Sequence, residues 1–168
     1  AILKEPKIID SLVVVWLGGN ALHWPHNNEF NLKQDIGGTQ VLFDCGVSLV
    51  MVPCMGVTSH LISTVPEIEK YIEPHGKIGK FLSMRFKEYN TNHKAWSKEI
   101  WDMAAVGWVL NEAWAPTHII SSPILLNDMT WKKDNTRHPI KIVYQLKRDL
   151  ILKDFIEKLE NFSKKNNY

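Results

Sequence analysis

The sequence has few cysteines, little excess charge of either sign and no long uninterrupted apolar run. Cys45 and Cys54 form neither a CxxC pair nor a disulfide framework, which favours a reducing, cytoplasmic location. The formal net charge is only +2 and the basic residues are scattered outside the tail, so a nucleic acid partner is not expected. The longest apolar run, Val47 to Val57, is interrupted by Pro53 and Gly56 and is too short to span a membrane. No membrane partner is expected.

What remains is the composition of a globular protein with a packed core. The chain has 168 residues, of which 45% are apolar and 23% are charged. These values are close to those of globular proteins in general, and the length suits one domain. We therefore expect residues 1–168 to form a single domain.

The first third of the chain has the pattern of a βαβ unit. Leu12 to Leu17 is an apolar, β-branched run that ends at Gly18, which predicts a buried strand. Asp35 is a candidate N-cap for a helix over Ile36 to Cys45, and Val47 to Val52 predicts a second buried strand. Two neighbouring parallel strands need a crossover connection, and the predicted helix between these two strands supplies one. The pattern predicts an α/β fold with an open, mostly parallel sheet flanked by helices and a Rossmann-like core.

The rest of the chain continues this alternation. The segment from Lys98 to Asn111 is apolar almost all round, which predicts a buried helix. Further helices are predicted near His60, from Pro66 to Ile72, over Ile78 to Tyr89 and over Asp149 to Lys165, and further strands over His118 to Leu126 and Ile140 to Leu146.

Asp102 is unusual because it lies within this apolar helical segment. Burying an unpaired charge in such surroundings costs roughly several kcal/mol of free energy, or else the carboxylate takes up a proton. Its partner is therefore a metal ion, a residue from another segment or the N-terminus of the helix itself. A structural role is the alternative, because aspartate is common in the first turn of helices.

A polar loop, Gly18 to Asn31, follows the first buried strand. It contains two histidines, several asparagines, a glutamate and a tryptophan. Ligands bind at the carboxyl ends of the strands in open parallel sheets, and amides and carboxylates suit sugar hydroxyls. The loop therefore predicts a sugar site. The alternative is a surface loop whose asparagines only form turns.

Three segments in this order resemble the inosine–uridine nucleoside hydrolase family. They are GGN followed by NEFNLKQD, then VSLVMVPCMGVT, and later WDMAAVGWVL. The resemblance extends over nearly the whole chain, which would be the C-terminal portion of that fold. In some features the chain is similar to purine-preferring members of the family. It implies hydrolysis of the N-glycosidic bond of a ribonucleoside, with calcium as cofactor, in purine salvage.

The resemblance also assigns roles to residues. Glu29 and Asn31 would bind the ribose hydroxyls, and Asp102 would be a calcium ligand. Trp101 stands where many relatives have a histidine that protonates the leaving base. Tryptophan has no proton to give near neutral pH, so Trp101 is expected to stack on a purine, or else to be a core residue.

One sugar-binding position remains open. Relatives often have an asparagine six residues before Glu29, where this chain has His23. Either His23 replaces that asparagine, or a shift of the loop brings Asn20 into its position.

The aspartate cluster of the family, DxDxGxDD, is absent from the sequence. That cluster supplies most metal ligands and the general base, so no catalytic residue is expected in this chain and calcium should bind weakly to it alone. The expected partners are a nucleoside, the N-terminal half of the same fold or a companion chain, and further copies in a homo-oligomer. A noncatalytic nucleoside- or sugar-binding module, or a degenerate remnant, is the alternative.

Overall fold

The structure is a computed structural model that describes residues 1–165. The chain divides into two compact units, Ala1–Ser59 with Trp101–Leu146, and His60–Ile100 with Lys147–Tyr168. The prediction of one domain over residues 1–168 remains a prediction, and its last three residues lie outside the described part.

The first unit is built on a four-stranded sheet. In chain order its strands are β1 (Val13–Leu17), β2 (Ser48–Val52), β5 (Thr117–Ser121) and β8 (Pro139–Val143). Their spatial order is β1-β2-β8-β5, and only β5 runs antiparallel to its neighbour. The expected open, mostly parallel sheet is confirmed.

Helices and a small hairpin complete this unit. They are α1 (Phe30–Gln34), α2 (Ile36–Asp44), α5 (Met103–Leu110), β6 (Ile124–Leu125) and β7 (Trp131–Lys132). Asp35 caps α2 as predicted, because its Oδ1 accepts a hydrogen bond from the Gly38 N–H at 2.7 Å. The helix ends before Gly46, whose φ of 82° suits glycine.

The core of the first unit lies between α2 and one face of the sheet. Phe43 of α2 is fully buried against the strands, and Trp16 of β1 meets it edge-on at 5.6 Å between ring centroids. The buried members of this cluster are Phe43, Leu49, Met51, Ile140 and Ile142. Their burial holds β1 and β2, whose carboxyl ends carry the polar loops, in a fixed position.

The second unit contains β3 (Ile62–Thr64), α3 (Val65–Tyr71), α4 (Gly76–Lys87), β4 (Ser97–Glu99) and α6 (Arg148–Lys165). Its core joins α3, α4 and α6 through Val65, Ile68, Ile72, Phe86 and Leu159. Arg148 lies beside Glu67 at 2.6 Å and also donates to the Ile62 carbonyl at 2.8 Å. Pro66 lies in the first turn of α3, which begins one residue earlier than the sequence predicts.

The segment around Asp102 differs from the prediction. The expected helix over Lys98 to Asn111 is wrong at its start, because Ser97–Glu99 pairs with Ile62–Thr64 as an antiparallel strand. A turn at Trp101 and Asp102 follows, and α5 begins only at Met103. The helix is also not buried all round, since Val106, Val109 and Leu110 are more than half exposed.

Two other predicted boundaries also change. Instead of a helix beginning near His60, a short 3-10 turn over Thr58–His60 is followed by β3. The late strand predicted over His118 to Leu126 is two strands, β5 and β6. None of the helices in residues 1–165 combines the length and apolar composition needed to cross a bilayer.

Candidate functional site

All of the predicted site residues lie in the first unit, four of them between the end of β1 and the first turn of α1, and the other two in the turn before α5. The strands β1 and β2 are parallel, so the loops that follow them emerge at the same edge of the sheet. The loops are tied together directly, since the Cys54 N–H donates to the Gly19 carbonyl at 2.8 Å and the Ala21 N–H to the Met55 carbonyl at 2.9 Å.

Glu29 fixes the loop after β1 and the start of α1. Its Oε1 accepts from the Asn31 N–H at 3.0 Å. Its Oε2 accepts from the Leu32 N–H at 3.0 Å and from the Gly19 N–H at 2.8 Å. A carboxylate offers about four acceptor positions, and with three of them used by backbone N–H groups, the Cys54 thiol and a ligand hydroxyl would compete for about one. Glu29 is thus an N-cap with limited remaining capacity for a ligand.

Asn31 is held at the same strand end. Its Nδ2 donates to the Leu17 carbonyl at 3.1 Å, which fixes the amide plane. The Oδ1 atom is then the part of the side chain with which it could accept a hydrogen bond from a ligand hydroxyl. Glu29 and Asn31 are therefore preorganised acceptors next to each other.

Asn20 and His23 have different surroundings. Asn20 is 1% exposed, its Nδ2 donates to the His26 carbonyl at 2.9 Å, and its Oδ1 accepts from the Met55 N–H at 3.2 Å. This side chain joins the two loops. His23 is exposed, and its Nε2 would lie 3.4 Å from a Cβ built on Gly56. Of the two residues, His23 has the side chain that is free to meet a ligand.

Two glycines allow the loops to approach each other. Gly19 has a φ of 64°, and a Cβ there would meet Asn27 and Met51 at 3.1 Å. Gly56 has a φ of 85°, and a Cβ there would lie 2.9 Å from the Ala21 Cβ. Side chains at these positions would be strained and would push the loops apart. The close loop pairing therefore depends on glycine.

Asp102 lies at the N-cap position of α5, and it is exposed. Its side chain makes no capping hydrogen bond to the helix. The prediction of a buried charge within an apolar helix is therefore wrong, because the helix starts one residue later than Asp102. Trp101 precedes it in the turn and is partly exposed, so it is not a core residue of a buried helix.

The thiol of Cys54 is affected by the charges of both carboxylates. Burial is the largest cause of the raised pKa of the Cys54 thiol. The negative charge of Glu29 and a hydrogen bond to Glu29 raise the pKa further, and the charge of Asp102 makes a smaller contribution in the same direction. Both carboxylates therefore act on one thiol. The place of Cys54 after β2, opposite the polar loop, was the signal from which this environment could have been predicted.

The calcium site implied by the resemblance does not fit this chain alone. No group of three or more histidine, cysteine, aspartate or glutamate side chains within residues 1–165 is arranged to hold a metal ion. Glu29 uses three acceptor positions on backbone N–H groups, and calcium prefers six to eight oxygen ligands. Asp102 is the one carboxylate of the predicted set without such bonds.

Comparison with models of protein families gave no match, and neither did comparison with curated proteins. Solved structures do match. The chain superposes on a purine-preferring ribonucleoside hydrolase from Gardnerella vaginalis with a TM-score of 0.76 and 20% sequence identity, covering 98% of this chain and 57% of that one.

Two further structures give the same result. An inosine–uridine preferring nucleoside hydrolase from Bacillus anthracis has a TM-score of 0.72 and 18% identity, with 95% of this chain and 55% of that one covered. A plant nucleoside hydrolase has a TM-score of 0.72 and 15% identity, with 95% and 57% covered. The chain thus spans little more than half the length of these enzymes, and over nearly all of its own length it has the nucleoside hydrolase fold.

Proposed function

We propose that this chain forms the substrate-binding portion of a nucleoside hydrolase, which cleaves the N-glycosidic bond of a purine ribonucleoside to give ribose and the free base. The observation that carries the proposal is the pair of acceptors, Glu29 and the Asn31 Oδ1, that hydrogen bonds to the backbone fix at the carboxyl end of β1. Asp102, in the same unit, has a carboxylate without a capping bond, and the fold is otherwise seen in nucleoside hydrolases.

The residues of this chain would bind and orient the nucleoside. In the proposal, Glu29 and the Asn31 Oδ1 accept hydrogen bonds from ribose hydroxyls, and His23 rather than Asn20 supplies the third polar contact. Trp101 stacks on the purine. Fixing the sugar and the base in one orientation lowers the entropic part of the barrier to bond cleavage.

The general base and most metal ligands would come from the part of the fold that corresponds to the unmatched part of the solved enzymes, supplied by the N-terminal half of the same fold or by a companion chain. The calcium ion implied by the resemblance would be bound mainly there, with Asp102 as the ligand from this chain. We place the assembly in the reducing cytoplasm, which suits two free thiols, and expect it to form homo-oligomers.

The test is hydrolysis of inosine and guanosine by this chain together with the unmatched part of the Gardnerella vaginalis enzyme, produced separately. The assembly should release free base, and Asp102→Asn should reduce kcat about 10- to 100-fold, as loss of a metal-site contact does. Because Asp102 makes no capping bond, Asp102→Asn should leave the Tm unchanged.

Two further variants separate sugar binding from base binding. Glu29→Gln should raise KM and also lower the Tm, since it weakens three backbone hydrogen bonds. Trp101→Ala should raise KM for inosine more than for uridine, while Trp101→Phe should retain most of the preference. Full activity of both Asp102→Asn and Glu29→Gln would refute the site.

A second function is a noncatalytic module that binds a nucleoside. The lack of any metal-holding group of side chains in residues 1–165 favours it. It predicts that this chain alone binds inosine in a calorimetric titration, with an affinity that Trp101→Ala weakens, and that no added polypeptide produces hydrolysis.

A further inference from the structure

Two asparagine side chains are buried inside the loop that follows β1. Asn27 is 6% exposed and Asn20 is 1% exposed. Asparagine is mostly an exposed residue in globular proteins, so two buried ones in one short loop need a reason in their contacts. Asparagines that only form turns on a surface loop do not account for them.

Asn27 makes hydrogen bonds at both ends of this loop. Its Oδ1 accepts from the Asn20 N–H at 2.6 Å, and its backbone carbonyl accepts from the Glu29 N–H at 2.8 Å. Asn20 directly follows Gly19, whose N–H donates to the Glu29 Oε2 at 2.8 Å. Two consecutive backbone N–H groups, those of Gly19 and Asn20, thus bind the side chains of Glu29 and Asn27.

These three hydrogen bonds close a ring. It runs from the Asn27 side chain to Asn20, through Gly19 to the carboxylate of Glu29, and through the backbone of Glu29 back to the Asn27 carbonyl. Asn20 and Asn27 are buried and Glu29 is half-buried, and hydrogen bonds in such surroundings are electrostatically stronger than in water. Because the Asn20 and Gly19 peptide groups are joined, a bond that fixes one restrains the other. Asn27 therefore acts on the Glu29 carboxylate through the backbone.

Asn20 supports this ring from the loop after β2. Its Oδ1 accepts from the Met55 N–H at 3.2 Å, and its Nδ2 donates to the carbonyl of His26, the residue before Asn27, at 2.9 Å. The backbone on which Asn27 depends is thereby tied to a second loop, and the ring is part of a rigid frame.

The amide of Asn27 is also a costly choice for stability alone. Its Nδ2 is buried and has no hydrogen-bond partner in the part of the chain that the structure describes. Leaving a buried N–H group without a partner costs free energy, and such departures from the best local choice are typical of functional sites. The position of Asn27 beside the candidate site agrees with such a role.

We propose that Asn27 is a positioning residue of the candidate site. Through the peptide groups of Asn20 and Gly19 it holds the Glu29 carboxylate in the orientation in which it accepts a hydrogen bond from a ribose hydroxyl. The ribose belongs to the proposed function, on which this part of the inference rests. The loop then uses two buried asparagines to support the acceptor that meets the sugar.

The first measurement needs no nucleoside. Hydrogen exchange of backbone amides is followed by NMR in the unchanged chain, in Asn27→Ala and in Asn28→Ala, which is the matched control because Asn28 is the adjacent, exposed asparagine. Gly19 and Leu32 donate to the Glu29 carboxylate, so their amides report its position. We expect Asn27→Ala to speed exchange at both amides at least about tenfold, and Asn28→Ala less than about twofold.

The pattern of exchange separates positioning from a local structural role. Faster exchange at Asn20 alone would show that Asn27 holds one peptide group and does not restrain Glu29, and the proposal would be wrong. Asn27→Asp keeps an acceptor of the same shape and should retain the slow exchange at Gly19 and Leu32. This variant keeps the measurement decisive if Asn27→Ala does not fold, and fast exchange in Asn27→Asp would contradict the proposal as well.

The second measurement is the KM for inosine of this chain assembled with the unmatched part of the Gardnerella vaginalis enzyme. Asn27→Ala should raise KM at least about fivefold in the unchanged background but less than about twofold in a Glu29→Gln background, because residues that act through one another are not additive. Equal effects in the two backgrounds would refute the positioning role. If exchange changes as expected but the assembly does not hydrolyse inosine, the proposed function is wrong and the restraint of Glu29 by Asn27 stands.

Discussion

At the scale of single residues, Cys54 has a chemical environment that the sequence did not predict. It is 6% exposed, at the end of β2, and both Glu29 and Asp102 act on its thiol. Burial and two negative charges all oppose formation of a thiolate, so the pKa is raised. Cys54 is therefore a neutral hydrogen-bond donor to Glu29 over the whole physiological range of pH.

The raised pKa of Cys54 makes stability depend on pH in the alkaline range. A thiol in the unfolded chain ionises near about pH 8.5. In the folded chain the raised pKa keeps the Cys54 thiol protonated above that pH. Stability from this group is therefore fully present below about pH 8.5 and is lost as the pH rises, by up to about 1.4 kcal/mol per pH unit. Urea unfolding at pH 8, 9 and 10 measures this slope.

Cys54→Ala should make the slope shallower, and Cys45→Ala is the matched control. Cys45 lies half-buried just after α2, and its replacement leaves Cys54 in place, so the steep slope should persist. Equal slopes in both variants would show that the Cys54 thiol does not carry the effect.

At the scale of elements, α3 and α4 approach each other through a glycine. A Cβ on Gly79 would lie 2.0 Å from the Ile72 carbonyl oxygen, which is backbone and unable to move aside alone. Alanine is favoured over glycine in a helix by about 1 kcal/mol, whereas overpacking of this kind costs about 1–3 kcal/mol or more. We expect Gly79→Ala to destabilise the chain by about 2 kcal/mol net.

Gly37→Ala tests the same substitution in a helix with space. A Cβ there would meet only the Asp35 Oδ1, at 3.8 Å. The helical propensity should then dominate, and the chain should gain up to about 1 kcal/mol. Thermal unfolding of the two variants gives opposite changes in Tm if the close approach is as described, and a gain in both would contradict it.

The elements that the sequence predicted well are those whose signals are local. β1, α2 and β2 follow from apolar runs, the Asp35 cap and the stop at Gly46. The start of α5 was wrong because Ser97–Glu99 pairs with residues far away in the chain, which no periodicity reports. The prediction that α5 is buried all round was wrong for a related reason, because burial depends on what covers a helix and not on its composition alone.

The features of the candidate site also separate into those that could be predicted from the sequence and those that could not. The polar loop was evident in the sequence, the roles of its residues came from the family resemblance, and the structure places Glu29, Asn31 and Asp102 in one unit. The triple backbone role of Glu29, the engagement of Asn20 and the position of Cys54 depend on contacts between two loops. Such contacts arise only once β1 and β2 lie side by side, so the sequence alone could not assign them.

At the scale of the whole molecule, the chain alone should bind calcium weakly and hydrolyse nothing. Asp102 offers one unbonded carboxylate, and ordinary calcium sites use six to eight oxygens. Calorimetric titration of this chain with calcium should show no saturable binding tighter than about 1 mM, the weak end of protein calcium sites. Micromolar binding, or hydrolysis of inosine with calcium added, would contradict the incomplete site.

Because Glu29 and Asp102 differ in their hydrogen bonds, the retention of each residue in related sequences would have a different meaning. Glu29 supports the loop and α1 through three backbone N–H groups, so selection for folding alone would preserve it after any activity had disappeared. Asp102 makes no capping bond and gives the helix no such support. Among descendants of this chain, persistence of aspartate at position 102, not of glutamate at position 29, is therefore the mark of a lineage still under selection for function.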